Sequence, residues 1–470
     1  MSSTTSSSTT SAPADSGVGL RRSLSLRDLI VYGLLFIGPT APMGVFGVLD
    51  AKSGGATALV FVIATIAMGF TAWSYARMAT AVPKAGSVFA YASAGLGRGP
   101  GFFAGWMIAL DYLFIPSMAA LFTGVATHAL APGVPVWLAT GAAVIVITGL
   151  NVTGVRLAAV VGMVMLVIEI VVLAIFVVAA VVVLVHDGPD RPWLSPVVAV
   201  HGFSLAAVVG AVSVAVLSFL GFDAIASFAE ENTGSSRQVG RALLFCLALA
   251  GALFVAQTYL GGLLTQVSPE SLAAHPADQG TAFYTMLHDA IGGWFGTVVT
   301  STKAIGPVFS ALVAQAAVSR LMYGMARDGQ LPRVLSRVNP RTRTPATAVL
   351  VAAVATMLIA IAAALRPDGL DVLSSLVTVG ALTGFLFLHA SVIGYFVVRG
   401  RIRTPAARTA YTLVPAAGAA IIVAVLLLAS RLALEVAGAW LVIGIIAFTA
   451  RHLRTRRAQE RPARHGQDAV

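Results

Sequence analysis

Charge is scarce in this chain. Asp, Glu, Lys and Arg make up only 10% of its 470 residues, against about 25% in a soluble domain. Hydrophobic residues make up 58%, and the mean hydropathy is +0.89. A water-soluble globule is excluded. Cysteine is nearly missing too: Cys246 stands alone in the apolar run LLFCLALAG. No disulfide can form within the chain, and the thiol reads as a small core residue. HExxH, GxSxG and a P-loop are all lacking, so no enzyme, no ATP-driven pump and no cofactor are expected. GLGRGPG, residues 95–101, joins two apolar runs and reads as a loop, not a phosphate cradle. The Ser/Thr-rich first 19 residues have no apolar centre and are not a signal peptide.

Long apolar runs are what the chain does have. A bilayer takes roughly 20 helical residues to cross. Twelve runs qualify, at 29–50, 55–80, 101–128, 134–151, 157–185, 203–230, 239–267, 293–326, 345–365, 370–398, 409–429 and 434–450. The expected fold class is an all-α integral membrane protein of twelve transmembrane helices. A β-barrel would instead show short alternating segments. The net charge of +11 does not point to nucleic acid, because of where the charge lies. With the N-terminus inside, 25 of the 30 basic residues fall at inner ends, inner loops or the C-terminal tail. That asymmetry is the positive-inside rule. It predicts a multi-pass plasma-membrane protein with both termini cytoplasmic and a basic face that grips anionic lipid. Residues 1–27 and 452–470 read as cytoplasmic tails, 28–400 as a ten-span core, and 401–451 as two further spans. The polar stretch 268–292 reads as an external loop with short surface helices, a possible lid.

Two runs carry their own breakers. The first contains GPTAPMG, residues 38–44, and the sixth SFLGFDA, residues 218–224. Unwound backbone inside a bilayer is tolerated only within protein or beside a cavity. Breaks in spans one and six, five helices apart, are the pointer to an inverted-repeat transporter. The alternative for GPTAPMG alone is a proline kink in a packed helix.

Buried acids are the next signal, since a charge at the bilayer centre costs at least about 2.5 kcal/mol. Asp111 lies 13 residues after Arg98, Glu169 lies 13 after Arg156, and Asp223 lies 14 before Arg237. At 1.5 Å per residue all three sit roughly 20 Å from the basic face, at one depth. They read as a cation or proton site. The alternative is that some only hold helices together through a buried hydroxyl or amide. Lys303 lies nearer the outer surface, where snorkelling or an ion pair reads better than substrate contact. His389 reads as a hydrogen-bonded core histidine before a proton relay.

Three motifs, in order, resemble the amino acid–polyamine–organocation permeases: AWSYARMATAVPKAGSVFAYASAGLGRGPGFFAGWMIALDYLF at 72–114, SFLGFDAIASFAEENTGSSRQVGRAL at 218–243 and AVSRLMYGMARDGQLP at 317–332. The likeness runs from about 28 to 400. It is closest to putrescine-importer-like members, through GLLFIGPTAPMGVFGV and ALDYLF. The resemblance implies a five-plus-five inverted repeat with alternating access. It implies a substrate held at the breaks by Gly38, Thr40, Ala41, Phe219, Gly221, Phe222 and Asp223, with Asp111 and Tyr112 on span three. Relatives use free amides at the span-one break to hold an α-carboxylate. Here Pro39 and Pro42 remove two donors and leave those of Thr40, Ala41 and Met43, which favours an amine over an amino acid. Glu169 matches a span-five position where several relatives place a lysine. With Ser310 facing it, an acid there would carry a coupling proton or other cation. The expected activity is proton-driven import of a small amine or amino acid. An exchanger, or a channel or sensor on the same fold, is the alternative.

Overall fold

The computed structural model describes residues 22–459, apart from 85, 154, 276–277, 367–368, 403 and 428–430. Among these the secondary structure is helical, with one isolated backbone bridge between Leu24 and Asn232. Span one is two helices, α1 (Leu26–Ile37) and α2 (Ala41–Ser53). Ser25 and Asp28 form a reciprocal capping box that starts α1. Then follow α3 (Thr57–Ala81), α4 (Ser87–Leu96), α5 (Arg98–Leu130), α6 (Val136–Thr153) and α7 (Val155–His186). After α8 (Ser195–Val198), span six is again divided, into α9 (Leu205–Phe219) and α10 (Ala224–Ser227). The chain continues through α11 (Ser236–Leu264), α12 (Pro269–Ala274), α13 (Ala282–Ala290), α14 (Gly293–Arg327), α15 (Ala346–Ala364), α16 (Gly369–Val392), α17 (Pro405–Leu427) and α18 (Arg431–Gln459).

Among the described residues, eleven of the twelve expected spans are long and apolar enough to cross a bilayer. The twelfth is α6, whose apolar stretch Val136–Val152 is shorter. The lipid-facing surface is legible on α7, where Val164, Val167, Val171, Val178, Val182 and Val185 are all exposed. A soluble monomer rarely presents so continuous an apolar face. The core lies between α5 and the helices packed on it, α14, α16 and α6, with α3 and α11 packed together beside them. α18 is held to α5 reciprocally. Trp106 and Trp440 stack at 4.5 Å, and each indole N–H donates to the other's carbonyl, at 2.8 and 2.7 Å.

Three local expectations change. GLGRGPG is not a loop: Gly95 and Leu96 end α4, which packs on the end of α16, Arg98 to Gly101 begin α5, and Gly97 alone stands between the two helices. The N-terminal tail ends earlier than residue 27. Ser23 and Leu24 donate backbone bonds to the Glu231 carbonyl, and Thr233 donates to that of Leu24. At the other end, α18 runs past the apolar stretch to Gln459, into the expected tail. The polar stretch after α11 does carry two short helices, α12 and α13. Phe283 of α13 packs edge-on against Phe46 of α2.

Candidate functional site

The site is built where the two interrupted spans meet. α1 stops because Gly38 takes φ +73°, and Pro39 follows with no N–H to continue the ladder. α2 starts at once, with Pro42 in its first turn, where a missing donor costs nothing. Three backbone carbonyls at this interruption are held by side chains. Ser310 donates to Leu35 O at 2.6 Å, Gln257 to Pro39 O at 3.0 Å, and Lys303 to Thr40 O at 2.7 Å. Span six turns at Gly221, whose φ is +110°. The turns touch: a Cβ on Gly221 would lie 2.6 Å from the Phe36 ring.

Asp223 is the polar centre. Its Oδ2 accepts from the Tyr75 hydroxyl at 3.2 Å and from the Tyr112 hydroxyl in a short bond. Its Oδ1 accepts from the Gly221 N–H at 3.3 Å. Rings wall the carboxylate in. Tyr75 packs edge-on with Phe222, Phe385 and Tyr91, and the rings of Phe36 and Tyr112 lie 6.5 Å apart. Asp111, beside Tyr112 on α5, feels the charge of Asp223. It is fully buried, and neither of its carboxylate oxygens has a protein partner. Two carboxylates among aromatic rings form a site suited to an organic cation.

The expected residues divide. Tyr112, Gly221, Phe222 and Asp223 come together, with Asp111 adjoining, while Gly38 stands at the break of span one, facing the Ser310 hydroxyl. Thr40 belongs to the break, and its buried hydroxyl lacks a protein partner. Phe219 does not join the wall around Asp223: it sits in the core between Phe61 and Phe254, at 6.2 and 4.9 Å. A helical residue two places before a turn points away from what the turn presents. Ala41 offers no free donor, because its N–H bonds Gly38 O and that of Met43 bonds Thr40 O as α2 closes its first turn. Glu169 lies apart from the other two acids, against α14, with one oxygen 2.6 Å from where a Gly306 Cβ would be. Its electrostatic partner is Lys303 and not Ser310, whose hydroxyl is engaged with Leu35. Lys303 does not snorkel outward; it reaches inward to the break.

Two buried ion pairs were not anticipated. Near the basic face, Arg320 clasps both oxygens of Glu231 and lies 4.6 Å over the Phe228 ring. Toward the opposite face, Arg191 binds both oxygens of Asp50 at 2.8 Å and also the Val267 carbonyl. The acid after span six hinted at the first pair. The second joins residues 141 apart in sequence, and no local pattern signals it. His389 is buried, with its ring nitrogens bonded to Thr71 at 3.3 Å and Ser74 at 3.0 Å.

With this geometry in view, residues 29–448 match the model of the amino acid permease family. The chain belongs to that family. It is a multi-pass membrane permease and not an enzyme, in keeping with the motifs in its sequence. The permease is 29% identical over 440 residues to the low-affinity putrescine importer of Escherichia coli (strain K12), covering 92% of this chain and 94% of that protein. It is 28% identical over 398 residues to the branched-chain amino acid permease of Bacillus subtilis (strain 168), covering 80% and 81%. It is 28% identical over 408 residues to the vacuolar cationic amino acid transporter 2 of Arabidopsis thaliana, covering 80% of this chain and 60% of that protein.

Proposed function

We propose that this permease is a secondary active importer of a small organic amine across the plasma membrane, with both termini cytoplasmic. The observation that carries this reading is the pair of buried acids, Asp111 and Asp223, set among Tyr75, Tyr112 and Phe222. A cationic head bound there would donate the hydrogen bonds that the Asp111 carboxylate now lacks. Two of the three amides left at the break, those of Ala41 and Met43, are already engaged, which weakens the amide cradle that would hold an α-carboxylate. The similarity to a putrescine importer over nearly the whole length of both chains supports the same substrate class.

Residues 28–400 form the transport core as a five-plus-five inverted repeat, with 401–451 as two added spans. Access alternates as spans one and six rock about their breaks. The Arg320–Glu231 and Arg191–Asp50 pairs close the two faces in turn. Glu169 carries the coupling proton.

A second reading has one observation behind it. The Lys303 ammonium at the Thr40 carbonyl is a cation at the break, which would suit the α-carboxylate of an amino acid. Purified protein in proteoliposomes, acidic outside, separates the two. Radiolabelled putrescine should accumulate and should be displaced by amines. Accumulation of neutral amino acids that amines do not displace would overturn the amine reading.

A further inference from the structure

One face of α14 grips both halves of span one. Ser310 donates to Leu35 O in the last turn of α1, and Lys303 donates to Thr40 O at the start of α2. Between them on the same face is Gly306, bare enough to admit Glu169 Oε1 from α7. Lys303 and Gly306 are three residues apart, so their Cβ positions are roughly 5–6 Å apart. Glu169 Oε2 is buried with no protein partner. A single ammonium thus has two acceptors within reach of its four-carbon stem: the neutral carbonyl of Thr40 and the carboxylate of Glu169.

These acceptors differ in strength. The ammonium makes either bond charge-assisted, but only an ionised carboxylate adds the attraction of a full opposite charge, which is strengthened in a buried, low-dielectric site. An ionised Glu169 draws Lys303 off Thr40. A protonated Glu169 releases it to the carbonyl, the arrangement seen in the structure. We propose that Lys303 is a positioning residue that couples protonation of Glu169 to the seating of α2 on α14. One proton enters Glu169, converting carboxylate to carboxylic acid, and leaves from the same group. Lys303 stays charged throughout and changes only its acceptor. This deepens the importer reading, since it rests on Glu169 as the proton carrier.

Other ionisable groups stand on the neighbouring elements. α6, α10 and α15 carry none. α1 has Arg27, Asp28 and Tyr32 in its first two turns, and α2 has Asp50 and Lys52 in its last. α11 has Arg237, Arg241, Cys246 and Tyr259; α5 has Arg98, Asp111, Tyr112 and His128. α13 has Tyr284, His288 and Asp289; α4 has Tyr91. α14 itself adds Arg320, Tyr323 and Arg327, and the turn after it Arg333. The charge acting on Glu169 is that of Lys303, and the charge acting on Lys303 is that of Glu169.

The test reads α2 directly and needs no substrate. Spin labels go on cysteines introduced at Gly44, where a Cβ meets nothing within 4 Å, and at exposed Trp294, in a Cys246→Ser background. Their distance distribution is measured at acidic and alkaline pH in proteoliposomes. The wild-type distribution should shift with pH. Glu169→Gln should hold the acidic distribution at both pH values, Lys303→Met should abolish the shift, and Lys303→Arg should retain it. A wild-type distance that ignores pH, or a full shift in Lys303→Met or Glu169→Gln, overturns the proposal. Should Lys303→Met fail to fold, Glu169→Gln and Lys303→Arg decide the matter. Putrescine uptake in the same liposomes tests the importer reading separately.

Discussion

Replacing Gly221 with alanine puts a methyl group where the Phe36 ring already sits. Two costs follow, and the structure separates them. The backbone at φ +110° strains any L residue, at about 1–3 kcal/mol. The added Cβ would lie 2.6 Å from the Phe36 ring, so the ring or the turn must move, at about another 1–3 kcal/mol. Phe36 is buried in the core cluster and has little room to give. Together the two make Gly221→Ala destabilising by about 2–6 kcal/mol. The assay is thermal unfolding of purified protein in detergent, with Phe36→Leu as a second variant. Gly221→Ala should lower the Tm substantially. Adding Phe36→Leu should return part of the loss, because it relieves the clash and not the backbone strain. A Gly221→Ala protein with an unchanged Tm would refute the claim that the two interrupted spans meet at this point. A double variant no better than Gly221→Ala would refute the partition.

Other outcomes follow from the same geometry. Arg320→Met should cost about 3–5 kcal/mol by leaving the buried Glu231 carboxylate unpaired; adding Glu231→Gln should recover much of it, and equal losses in single and double variants would contradict the pairing. Phe222→Leu should raise the KM for uptake, whereas Phe219→Leu, in the core beside Phe61 and Phe254, should lower the Tm and leave KM unchanged; a reversed pattern would contradict their placement. Tyr112→Phe removes the short bond to Asp223 and should reduce uptake with normal membrane insertion, as measured by transport and quantitative blotting. Gly306→Ala should crowd Glu169 and reduce gradient-driven accumulation more than exchange at symmetric pH; equal loss of both would point to a folding defect.

Much of the fold was legible because bilayer physics writes itself into local sequence. Apolar length marks the spans, and the positions of Arg and Lys mark the ends. Pro39 and Gly221 mark the turns, since the first lacks the N–H a helix needs and the second lacks the Cβ that would bar a positive φ. Burial of the acids followed from their apolar flanks. Partnership did not. Lys303 was expected to snorkel outward or to form an ion pair, because the surface lies nearer along its own helix. It reaches inward because the break in span one leaves a carbonyl for it, and that carbonyl belongs to a residue 263 positions away. The same limit hid Arg191 with Asp50. Alternation along one helix can place a residue at a depth, but only packing decides which neighbour it meets. Phe219 shows the limit at short range: two residues from Gly221 in sequence, it packs on the far side of the turn.

The central claim is that the Asp223 carboxylate holds the ammonium of an amine. Equilibrium binding of radiolabelled putrescine to purified wild-type protein and to Asp223→Asn tests it most directly. A charge-assisted hydrogen bond contributes about 1.5–3 kcal/mol, so affinity should fall on the order of 10- to 100-fold while the variant stays folded. Equal affinity in the two proteins, or no binding of putrescine to the wild type, would contradict the account.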